Sequence, residues 1–252
     1  MKGEGVNGVF QPLLGDNLAP LLQDLAFVHA ERDEVVRAWL EFSGPLLRAH
    51  GVEYSSTVVQ GSLEQVVRQL EPLSMPTRER YLFIPCKNNW TLVRDNGVVG
   101  SDAVSLLHGT VSRTRQQGVR LCVNAPLDAE RRRRQIRSVI WEVFEVGDGI
   151  AAKSRRSLAV QKTSSWHWVS TGNPLVFEDT AAYSAKKIGD RFTPEMLDRY
   201  AQAMGIDAFN EKFYLTESRG AVLLHLSHVP FPNQTNRSLA DVQRELALKR
   251  SF

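Results

Sequence analysis

No apolar run in this chain approaches the roughly 20 residues a membrane-crossing helix needs, which argues against a membrane protein. The opening segment MKGEGVNGVF has no apolar block, so no secretory signal is expected and the location predicted is cytoplasmic. Cysteine is nearly absent. Cys86 and Cys122 are the only two, both in apolar, strand-like runs where cysteine behaves as a small hydrophobe. They predict buried, free thiols in a reducing compartment rather than a disulfide framework. With no C-x-x-C, no H-E-x-x-H and no histidine–cysteine cluster, neither a metal site nor a bound cofactor is expected. The nucleophile elbow G-x-S-x-G and the P-loop are also missing. The acidic pairs Glu142/Glu145 and Glu178/Asp179 lack a spacing that points to paired acid–base chemistry. There is no fixed-period repeat and no low-complexity tract.

What is present describes a globular chain. It has 252 residues, 42% of them hydrophobic and 23% charged, with a net charge of +3. That length suffices for a sizeable core, and so small a charge does not itself point to nucleic acid or an anionic membrane. Residues 1–16 lack periodicity and read as a loose arm. Asn17 followed by Leu18, Leu21, Leu22, Leu25 and Val28 has the spacing of a capped helix. Val35, Val36, Trp39 and Leu40 begin a second helix, which Gly44-Pro45 should kink or break and Gly51 should stop.

From residue 52 a rhythm emerges. VEYSSTVVQ (52–60) reads as a strand, and SLEQVVRQLEPL (62–73) as a helix with Ser62 and Gln65 in capping-box positions. YLFIPC (81–86) and WTLVRD (90–95) read as a hairpin, joined at Asn88-Asn89, where asparagine tolerates a left-handed backbone. Asp95-Asn96-Gly97 reads as a turn, Ser101 or Asp102 as the cap of a helix over 102–118, and VRLCVNA (119–125) as a strand. The order β-α-β-β-α-β is the split βαβ of ferredoxin-like folds. The class predicted is therefore α+β: a ferredoxin-like unit within 17–130, then a mainly antiparallel β half over 131–229. In that second half 138–146, 157–171, 175–179 and 220–229 are strand-like. One helix interrupts it over 193–204, with Thr193 as N-cap, Pro194 at N1 and Gly205 as the stop. Residues 230–252 supply a linker and a short helix that must dock on something to be stable.

Three features invite a functional reading. Between 113 and 137 stand eight arginines against only Asp128 and Glu130, with Arg131, Arg132, Arg133, Arg134 and Arg137 clustered in the connector between the halves. Arginine forks pair with carboxylates, so an acidic protein partner ranks ahead of nucleic acid, which needs stacking aromatics beside the cluster. The polar stretch around Trp90, Arg94 and Asp95 is a second candidate partner surface. Third, LLHLSHV (223–229) resembles the strand-borne H-x-[S/T] element of the two-histidine phosphoesterases, with His225 and Ser227 in the matching places. That resemblance implies phosphodiester hydrolysis with both residues catalytic. It requires a second such element, for which His108-Gly109-Thr110 is the best candidate, although it falls in a helical stretch. With no stronger catalytic motif, the function expected is protein binding of the inhibitor type, by analogy with bacterial immunity proteins. The alternative is a phosphodiester hydrolase or another enzyme acting on nucleic acid. Nothing in the sequence fixes an oligomeric state.

Overall fold

The computed structural model describes residues 13–14, 17–124, 138–147, 149, 151–227 and 233–249. Its centre is a nine-stranded sheet in which every neighbouring pair is antiparallel. In chain order the strands are β1 (Asp24–Val28), β2 (Glu53–Val59), β4 (Arg80–Pro85), β5 (Thr91–Asp95), β6 (Gly118–Asn124), β7 (Ser138–Val146), β8 (Ala152–Lys162), β9 (Trp166–Thr171) and β10 (Ala221–Ser227). A separate short ladder joins β3 (Leu73–Met75) to β11 (Thr235–Arg237). Across the large sheet the order is β2-β10-β4-β5-β1-β6-β7-β8-β9.

Helices cover both faces. On one side lie α1 (Arg32–Ala49) and α3 (Ala103–Thr114), whose Val35, Trp39, Leu106, Leu107 and Val111 meet Ala26, Val28, Phe83, Val93 and Leu224 of the sheet. On the other lie a turn carrying Leu18, Leu21 and Leu22, then α2 (Leu63–Val67), α4 (Pro194–Ala203) and α5 (Leu239–Lys249). These close over Leu25, Phe27, Leu82, Leu92, Leu121, Trp141 and Leu158. The mixed α/β class and the large antiparallel sheet match the expectation. The contiguous ferredoxin-like unit is not what forms. Its four strands and two helices all exist, but β2, which a split βαβ would set between β5 and β6, lies at the edge of the sheet, and β1 takes that central place. The two halves thus share one sheet.

Local signals explain most boundaries. Ser62 accepts from the Gln65 N–H while the Gln65 side chain accepts from the Ser62 N–H, the reciprocal cap expected for α2. Ser62→Ala should cost about 1 kcal/mol, measured as a fall in denaturant midpoint at unchanged slope. Asp102 caps α3 and Thr193 caps α4, with Pro194 in its first turn. Asn88 and Asn89 take φ of 55° and 60°, closing the β4–β5 hairpin. α5 docks on its own chain, burying Leu239 and Val242 and bonding Gln243 to the Asn17 and Ala19 carbonyls.

Two expectations fail for identifiable reasons, and a third holds in part. The helix expected after Asn17 is a turn followed by β1, because Leu25-Ala26-Phe27-Val28 is buried on both faces at the centre of a sheet. Such a run carries no period that separates strand from helix. Gly44-Pro45 does not end α1. Pro45 and Glu41, whose carbonyl loses its partner, are both exposed, so the freed carbonyl need not be buried unpaired. Residues 175–179 form no strand, and a 3-10 turn over Thr180–Ser184 follows them.

Candidate functional site

Trp90, Arg94 and Asp95 lie close together in the chain but not on a surface: they are 3%, 0% and 1% exposed. Trp90 belongs to the core and stacks at 4.8 Å on His29. Asp95 organises the turn after β5. Its carboxylate accepts from the backbone N–H groups of Gly97 and Asp102 and from the Ser101 hydroxyl, and lies 3.5 Å from Arg78. These two residues are corrected from contact surface to architecture. Arg94 differs. Its Nε, Nη1 and Nη2 are all buried and have no hydrogen-bond partner among the described residues. Burial lowers its pKa, and the charges of Asp95 and Asp24 oppose that shift.

A second buried arginine, Arg156 on β8, is fully engaged. Its Nε and Nη2 donate to both oxygens of Glu178, while Nη1 donates to the Ser170 hydroxyl and the Thr171 and Gly172 carbonyls. The Arg156 and Glu178 side chains are 1% and 0% exposed. Glu178 also accepts from the Leu175 N–H and the Tyr183 hydroxyl, and Tyr183 meets Tyr200 of α4 at 3.1 Å. Every carboxylate oxygen is used, so this cluster is a fastener for the 172–190 segment with no vacant position for a substrate.

His225, His108 and His167 do not assemble. His225 alternates on β10 with Leu224 and Leu226 of the α1/α3-side core, so it projects from the opposite face, exposed between Ser55 and Arg80. Ser227 donates to the Glu53 carbonyl. His108 sits on α3, 5.4 Å from Phe144 on the α1/α3 side, and its neighbour Thr110 is buried with its hydroxyl on the Leu106 carbonyl. His167 is on β9, seven strands from β10 and therefore roughly 30 Å away. Both thiols are buried. Burial pushes Cys86 up, and burial with the Asp24 charge pushes Cys122 to about 12, so neither is a nucleophile near neutral pH. Among the described residues no group of three His, Cys, Asp or Glu side chains is placed to hold a metal, and no helix is long and apolar enough to cross a membrane. Arg131, Arg132, Arg133, Arg134 and Arg137 lie outside the described residues.

The surface that stands out is an edge of the sheet. Among the described residues β2 pairs only with β10, and six of its seven residues, Glu53 to Val58, are exposed. Tyr54 is 50% and Val58 60% exposed. A free edge presents a row of unpaired N–H and C=O groups, and proteins ordinarily blunt it with lysine, proline or a bulge. EYSSTVV has no lysine or proline, and its register against β10 runs unbroken from Glu53 to Val59. The opposite edge, β9, is sheltered on one face, where Trp168 meets Tyr183 at 5.3 Å. The sequence held a signal for the β2 edge. Neither Tyr54-Ser56-Val58 nor Ser55-Thr57-Val59 is a purely apolar face, as a strand with one buried side requires. No protein-family model matches this chain, and no curated protein or solved structure matches it.

Proposed function

We propose that this chain acts by binding another protein, through addition of an extended partner strand to the free edge of β2. The observation that carries the reading is the seven-residue, lysine-free and proline-free edge strand, exposed at six positions. Main-chain hydrogen bonds supply affinity in such a mode, and alternate side chains supply selectivity. The partner strand would set small apolar or hydroxyl side chains beside Tyr54, Ser56 and Val58. The arginines at 131–134 and 137 add attraction to an acidic partner in this proposal, chiefly through the association rate. An inhibitor that occupies its target in this way remains the functional type, as in the analogy with immunity proteins.

The two contributions separate experimentally. Ser56→Lys with Val58→Lys guards the edge and, at exposed positions, should change stability by less than about 0.5 kcal/mol. Capture from the host's own extract should then lose the protein retained by the unmodified chain, at every salt concentration. Replacing Arg131, Arg132, Arg133 and Arg134 by serine should weaken capture in low salt only. If both variants retain the same protein as the unmodified chain, the proposal fails.

A further inference from the structure

Among the described residues two arginines, Arg94 and Arg156, are buried, and they are treated in opposite ways. Arg156 has six hydrogen bonds, three of them to a single carboxylate. Arg94, at 0% exposure, has none among the described residues. A guanidinium carries five N–H donors and keeps its proton in a protein. Burying it without a counter-charge is among the costliest arrangements a core can hold. The nearest acids are already committed. Asp95 serves the turn at 97–102 and lies beside Arg78, and Asp24 is held in a two-pronged pair by Arg120.

The surroundings define what would satisfy it. Arg94 stands opposite Leu82 on β4, and the β1–β5 register, with Ala26 against Val93, carries it opposite Leu25 on β1. The same row continues through Leu121 to Trp141. Trp141 is fully buried on the same face, and its Nε1–H is a second donor without a partner among the described residues. One face of the sheet therefore holds two donor-only groups in a leucine-lined row. No acid hydrogen-bonds to Arg94 among the described residues, so a monoanion meets the one unpaired guanidinium, whereas a dianion would bury a surplus negative charge. A planar oxyanion also matches the guanidinium fork.

We infer that Arg94 anchors a buried binding site for a small molecule bearing a single carboxylate, its charged head on the guanidinium and any apolar remainder along the leucine row. This is independent of the β2 edge, which lies three strands away from β5.

The test uses the full chain, dialysed and refolded from denaturant at constant ionic strength with sodium acetate or sodium chloride as the probe. A guest bound only by the folded state raises Tm with its concentration, by about 5–10 °C at a hundredfold excess over Kd. Acetate should produce this rise and chloride should not. Arg94→Met, close in length and without charge, should abolish the response. An equal rise with chloride overturns the carboxylate assignment, and no rise with either salt overturns the site. Should Arg94→Met not fold, the 15N resonance of the Arg94 Nε in the unmodified chain decides. Acetate must shift it, and an unmoved signal overturns the proposal.

Discussion

Replacing Glu178 by glutamine should lower the stability of the fold by about 3–5 kcal/mol, because it leaves Arg156 charged and buried beside a neutral amide. The Glu178 side chain is 0% exposed and accepts from Arg156, from the Leu175 N–H and from Tyr183. Burial alone would raise its pKa. The Arg156 hydrogen bonds, followed by those from Leu175 and Tyr183, outweigh burial and hold it below the ordinary value. A carboxylate with a depressed folded pKa stabilises the protein above its unfolded pKa, which is near 4.5. That contribution fades as the pH falls through the lower folded value. Denaturant midpoints should therefore drop below about pH 4.5 in the parent, and more shallowly over that range in Glu178→Gln. Exchanging the pair for apolar residues, Arg156→Met with Glu178→Leu, should cost less than the single change, since no charge is then stranded. A double variant as unstable as the single one would show that the remaining bonds of Arg156, to Ser170, Thr171 and Gly172, carry the effect.

How far the sequence foretells such a cluster depends on how local its causes are. The Ser62–Gln65 box, the Asn88-Asn89 turn, the Asp102 and Thr193 caps and the stops at Gly51 and Gly205 each depend on residues within a few positions, and all are legible. Glu178 was visible only as an acidic residue next to Asp179. Its partner is 22 positions away and across a β-hairpin, a distance at which side-chain type carries no pairing information. Strand order is non-local in the same way. Nothing within 52–125 indicates that β1, from before residue 30, takes the place between β5 and β6, or that β2 ends at the sheet's edge beside β10, from beyond residue 220. Arg94 shows the reverse error. A polar residue in a hairpin reads as surface because charge is rarely buried, yet Thr91 to Asp95 is covered on both faces. Its burial without a hydrogen-bond partner among the described residues is the observation on which the proposed carboxylate site rests.

Gly172, at the far end of the Arg156 network, should tolerate alanine far less well than Gly51 does. Both have positive φ, 78° and 65°, so a side chain is strained at either position by about 1 kcal/mol or a little more. Their surroundings differ. A Cβ on Gly51 would meet nothing within 4 Å, whereas one on Gly172 would stand 2.0 Å from the Arg155 carbonyl oxygen and 3.0 Å from its carbon. Those atoms are backbone of β8, at the bulge where its register with β7 shifts, and cannot rotate away as a flexible side chain could. Relief requires moving the end of β9, and the Gly172 carbonyl that accepts from Arg156 moves with it. Overpacking of this kind adds about 1–3 kcal/mol to the strain. Gly172→Ala should therefore lose about 2–4 kcal/mol in total and Gly51→Ala about 1 kcal/mol. Equilibrium urea unfolding of both variants measures the difference directly. The near-ultraviolet circular dichroism of Gly172→Ala should also change, because half-buried Trp166 and Trp168 lie on the displaced strand. Equal losses in the two variants would mean that strain alone acts and that β9 yields without cost to the Arg156 network.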